Sequence, residues 1–172
     1  SNTVDAYAVN GWESMKLENH SGIVDNYRFP KGDPEVMARY NAPLYLAVKM
    51  NRKVVSTGDT TLVDTYIVNE KNLKGSYILN LVAKDESGNV VASHKERVTV
   101  QGGNDYGQCL QSGWAFIPKS KGYTRIEASL LKGKTELVKG DDLLFAVELN
   151  TKGITTRGSV ADTCLLYTSP SP

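Results

Sequence analysis

About seven short segments with period-two alternation, separated by Gly-, Asn- and Asp-containing turns, predict a mainly β chain folded as an antiparallel, immunoglobulin-like β-sandwich. The alternation sets in only after Pro43. Before it, residues 1–42 read as a strand, a loop and a short helix, and a lone β/α unit cannot bury its own faces.

Val4-Asp5-Ala6-Tyr7-Ala8-Val9-Asn10 alternates and predicts a strand that ends at Gly11-Trp12-Glu13-Ser14. A polar loop runs on through His20, Ser21 and Gly22. In Lys31-Gly32-Asp33-Pro34, Asp33 can cap a helix and Pro34 suits its first position. Glu35 complements the dipole of a helix over 35–40, which must stop ahead of Pro43. Strands are predicted at 44–49, 60–69, 76–84, 90–100, 108–117, 123–131 and 143–149. Gly58-Asp59, Lys74-Gly75, Asp85-Glu86-Ser87-Gly88-Asn89 and Gln101-Gly102-Gly103-Asn104 punctuate them. In 123–131, Thr124, Ile126, Ala128 and Leu130 share one face, and Arg125, Glu127 and Ser129 the other. That is the pattern of a half-buried antiparallel strand.

The 172 residues carry a formal net charge of +1, with Lys and Arg scattered. This argues against nucleic acid or an anionic membrane as partner. No apolar run is long enough to span a bilayer, and the start has no signal-peptide pattern. Localisation stays open, a periplasmic or extracellular parent protein being compatible. Cys109 and Cys164 make no disulfide framework, and no Cys/His grouping has zinc spacing, so neither metal nor cofactor is expected. Cys109 falls in an alternating stretch and reads as a small core residue, and His94 reads as solvent-facing. Residues 164–172, Cys164-Leu165-Leu166-Tyr167-Thr168-Ser169-Pro170-Ser171-Pro172, resemble a translated transposase adapter from sequencing libraries. They are expected to be a scar outside the fold, with the native chain continuing past that point.

Three stretches, in order, resemble family 2 glycoside hydrolases of the β-galactosidase-like type. They are Asn10-Gly11-Trp12-Glu13-Ser14 with Asn19-His20-Ser21-Gly22-Ile23-Val24-Asp25, then Lys31-Gly32-Asp33-Pro34 with Tyr40-Asn41-Ala42-Pro43-Leu44-Tyr45. The last is Gly58-Asp59-Thr60 through Ile67-Val68-Asn69-Glu70. In that family a (β/α)8 barrel precedes an immunoglobulin-like domain. The resemblance implies that 1–42 is the last strand, loop and helix of a truncated barrel and that 43–150 is the sandwich. Residues 151–163 would be a linker or the start of another domain. Partners would be a carbohydrate substrate in the parent enzyme and the missing domains of the same chain.

Retaining glycosidases hold two carboxyl groups about 5–5.5 Å apart. The resemblance puts both catalytic glutamates on earlier barrel strands, so no catalytic residue is assigned here. Asn69-Glu70 mimics the Asn-Glu pair of the acid/base residue, but it ends a sandwich strand and reads as a strand end or turn. Trp12 follows the expected last strand, where barrel active sites lie, and its indole offers a flat face to a sugar ring, packing of the barrel rim being the alternative. Glu13, Asn10 and His20 share that loop and are candidates for sugar hydroxyls, loop-stabilising hydrogen bonds being the alternative. Asp85-Glu86 and Asp141-Asp142 lack the ligand spacing of a calcium loop and read as turn or strand-end carboxylates. The rival to a glycosidase piece is a non-catalytic carbohydrate-binding or adhesion module. A module of that kind would line a groove on the sandwich with exposed aromatics.

Overall fold

In the computed structural model, which describes residues 22–103 and 107–148, helix α1 spans Pro34–Tyr40. Asp33 caps it as expected, its Oδ1 accepting the Glu35 N–H at 2.9 Å, with Pro34 in the first turn. Asn41 closes the other end by donating from Nδ2 to the Met37 carbonyl at 2.8 Å. The helix buries none of its residues. The strand expected from Val4 to Asn10 and the segments 151–163 and 164–172 lie outside the described residues.

Eight strands follow: β1 Leu44–Met50, β2 Val54–Ser56, β3 Thr61–Asn69, β4 Gly75–Asp85, β5 Val90–Val100, β6 Gly107–Phe116, β7 Gly122–Lys132 and β8 Thr135–Val147. They form two sheets, ordered β1-β3-β6 and β2-β8-β7-β4-β5. Among the described residues, only β2 with β8 is a parallel pair. Hairpins join β4 to β5 and β7 to β8, while the other connections cross between sheets.

The two sheets close on one core. Leu46, Val63 and Ile67 from the smaller sheet join Leu79, Leu81, Ile126, Leu130 and Leu144 from the larger, all fully buried. Each such side chain contributes about 1.5–3 kcal/mol through removal from water. Strand β7 buries Thr124, Ile126, Ala128 and Leu130, the face that its alternation predicted. At the β4–β5 turn, Asp85 Oδ1 accepts the Asn89 N–H at 2.8 Å and Gly88 takes φ +83°, a conformation that favours glycine. The carboxyl of Asp85 is held below its usual range, first by the Asn89 side chain and then by the Asn89 backbone.

Four expectations need correction. Strand β2 was not anticipated, because three residues are too few for a period to register. Strand β8 starts at Thr135 rather than at 143, so Asp141-Asp142 is neither a turn nor a strand end but mid-strand. Cys109 is exposed rather than a core residue. The β3–β6 ladder carries two bulges, each with one extra residue on β6. The positions opposite the inward residues of β3 are therefore Gln108, Gln111, Trp114 and Phe116, and Cys109 falls opposite outward Tyr66. Asp64 fixes the upper bulge, its Oδ1 accepting the Ser112 hydroxyl at 2.9 Å and the Gly113 N–H at 2.8 Å.

His94 is half-buried rather than solvent-facing. It shares the core-side face of β5 with Val98 and Val100, and its ring stacks on Trp114 at 6.3 Å. The three-stranded sheet is narrower than its partner, and at edge strand β5 the Trp114 ring of β6 covers His94. Polar residues pointing inward at an edge discourage pairing with another chain.

Asn69 is 2% exposed, and its side chain clamps the turn after β3. Its Oδ1 accepts the Leu73 N–H at 2.8 Å and its Nδ2 donates to the Leu73 carbonyl at 2.9 Å. Removing it leaves both Leu73 groups without those partners. Asn69→Ala is expected to lower the unfolding free energy by about 1–3 kcal/mol in urea titrations. A loss under about 0.5 kcal/mol would mean that something else holds the turn.

Candidate functional site

Trp12, Glu13, Asn10 and His20 lie outside the described residues. Within them, a polar cluster forms where α1 meets the outer face of the larger sheet. Gly140 places it. Strand β1 packs so closely on β8 that a Cβ at Gly140 would stand 1.7 Å from the Leu46 carbonyl oxygen. That approach brings Tyr45 of β1 beside Asp141 of β8, where the two interact electrostatically.

Asp141, with an 11% exposed side chain, is the hub. Arg125 of β7 forms an ion pair with it, Arg39 of α1 approaches at 3.5 Å, and the Tyr40 hydroxyl donates to it at 3.3 Å. The Arg39 guanidinium also lies over the Tyr40 ring, 4.7 Å from its centroid, and the Tyr40 and Tyr45 rings are 5.6 Å apart. The charge of Asp141 is the main reason the Arg39 pKa is raised. Burial, followed by the neighbouring Tyr40 and Asp141, pushes the Tyr45 phenol up to about 12. Tyr45 is thus a neutral wall of the cluster at ordinary pH.

A groove of about 250 Å³ runs past this hub, lined also by Asn80, Glu127, Ser129, Glu136 and Lys139. Its chemistry is that of an anchor. Asp141 is shared between two guanidinium groups, and Glu127 is paired with Lys84 at 2.7 Å. Both carboxylates are thus engaged by cationic side chains, and at Asp141 the pairing ties α1, β7 and β8 together. Among the described residues, no group of three or more His, Cys, Asp or Glu is placed to hold a metal ion.

Glu70 is exposed at the end of β3, its N–H donating to the Pro43 carbonyl at 2.8 Å, and Asn69 is the turn clamp. The pair sits at a strand end, where the sequence put it. Asp85-Glu86 sits in the β4–β5 hairpin. Asp142 pairs with Lys53 and accepts the Leu143 N–H at 2.8 Å. The anchor itself went unread in the sequence. Arg125 reads in the sequence only as one polar residue of an alternating strand, and Asp141-Asp142 as turn or strand-end carboxylates. A glycine inside a strand is the signal that was available, since it marks a close backbone approach.

No protein-family model matches the chain, and no curated protein sequence matches it. Among solved structures, a glycosyl hydrolase family 2 member from Bacteroides cellulosilyticus is similar at 16% identity and TM-score 0.47. The match covers 60% of this chain and 15% of that one. A β-glucuronidase from Bacteroides uniformis is similar at 16% identity and TM-score 0.44, over 59% of this chain and 13% of its own. The CARDB domain of a Pyrococcus furiosus protein, in complex with di-metal ions, is similar at 14% identity and TM-score 0.41. There the match covers 62% of this chain and 94% of that one. This chain therefore spans a small part of the two hydrolases and nearly all of the CARDB domain. Superpositions this loose carry no argument about activity.

Proposed function

We propose that the chain is a segment of a retaining, β-galactosidase-like family 2 glycoside hydrolase in which the sandwich is a structural accessory domain. The observation that supports this best is the ordered set of sequence stretches running from Asn10 through Asp33-Pro34 to Asn69-Glu70. Two structural features agree with it. The Asp33-capped helix leads straight through Pro43 into the sandwich, and it presents Val36 and Met37 outward with no residue buried. A helix like this has a face still to cover. In this reading, residues 1–42 close a (β/α)8 barrel whose earlier strands carry both catalytic glutamates. Trp12 offers its ring to the sugar, with Asn10, Glu13 and His20 around the hydroxyls. The Asp141 anchor then sets the angle between the barrel's last helix and the sandwich.

On this account the purified chain hydrolyses no chromogenic β-galactoside, β-glucuronide or β-mannoside. Covalent and acid/base steps are both missing without the two carboxylates. Turnover that disappears in Glu70→Gln would overturn the reading.

A further inference from the structure

We propose that the cleft beside Tyr123 and Phe145 is a binding site for an uncharged sugar ring. These two residues are direct cross-strand partners on β7 and β8, on the face turned away from the core. Their rings lie 4.8 Å apart at an interplanar angle of 55°, with Tyr123 54% and Phe145 36% exposed. Val54 of β2, paired with Phe145, extends the apolar surface and is 59% exposed. Single exposed apolar residues are ordinary, but a register-matched set across three strands is a surface built for contact.

What the surface fits follows from its rim. A cleft of about 490 Å³ opens on the Phe145 side of the pair, lined by Phe145 with Glu86, Lys121, Gly122, Val147 and Glu148, while Tyr123 follows Gly122 in the chain and stands against the Phe145 ring. The rim is ordered on one side: Glu86 Oε1 accepts the Tyr123 N–H at 2.7 Å, which fixes the carboxylate beside the ring. Gly122, at φ +114°, brings the backbone so near that a Cβ would meet Glu86 Oε1 at 2.8 Å. Flat aromatic faces suit the C–H side of a pyranose, while carboxylates and an ammonium suit its hydroxyls. Two carboxylates against one lysine disfavour an anionic ligand. The occupant is therefore a neutral pyranoside rather than a uronate or a phosphate. Binding here needs no hydrolysis and stands whether or not the chain derives from a glycosidase.

The test is an amide-resolved NMR titration of the full chain with methyl β-D-galactopyranoside, methyl β-D-glucopyranoside and methyl β-D-glucuronide. Saturable shifts at Gly122, Tyr123 and Ala146 are expected with at least one neutral pyranoside, and weaker ones with the glucuronide. The double variant Tyr123→Ala, Phe145→Leu removes both rings and keeps apolar bulk on β8. It should weaken the neutral ligand about tenfold or more. Matching amide spectra away from the cleft would show that the variant is folded. Four results would overturn the proposal: no saturable shift up to roughly 50 mM, shifts confined elsewhere, equal affinity for the glucuronide, or unchanged affinity in a folded double variant.

Discussion

Gly140→Ala is expected to destabilise the protein by about 3 kcal/mol or more, although alanine is normally the better residue inside a strand. The added methyl would stand 1.7 Å from the Leu46 carbonyl oxygen and 2.7 Å from its carbon. The obstacle is backbone, so no rotamer change relieves it. Strand β1 must lift away from β8, which opens the core at fully buried Leu46 and moves Tyr45 off the Asp141 anchor. Gly107→Ala is the control: nothing lies within 4 Å of its added Cβ, and the change should stay within about 0.5 kcal/mol. Urea unfolding of both variants reads the difference directly. Similar midpoints for the two would mean that the sheets do not touch at Gly140.

Leu81→Ala should cost about 2–5 kcal/mol, the range for opening a cavity that neighbours cannot fill. Leu81 is 0% exposed on β4, whose partners on either side are β5 and β7. Leu143, on the outer side of β8, is 42% exposed, and Leu143→Ala removes the same atoms from a site already wet. Its cost should stay near 0.5 kcal/mol. Thermal unfolding of the pair tests the assignment of the two faces. Equal losses would contradict it.

How legible this was depends on how local each feature is. Alternation in β7 and β3 survives intact because their inward residues, Thr124 to Leu130 and Thr61 to Asn69, keep a strict period of two. The capped start of α1 is equally local, needing only Asp33, Pro34 and the backbone that follows. Strand β6 is different. It carries two bulges, one of them pinned from another strand by Asp64, so the inward face cannot be counted along β6 alone, and Cys109 falls on the outward side. His94 was misread because its surroundings depend on how far one sheet overlaps the other. The Asp141 anchor needs Arg39, Tyr40, Arg125 and Asp141 to converge from α1, β7 and β8. No short window of sequence holds that information. Trp12, Glu13, Asn10 and His20 remain expectations of the sequence.

The coding sequence on the 5′ side of the Ser1 codon tests the central claim most directly. The account predicts an open frame that continues upstream into a (β/α)8 barrel carrying two glutamates at strand ends, positioned for a retaining reaction. An in-frame stop just ahead of this segment, or an upstream domain of another architecture, would contradict it.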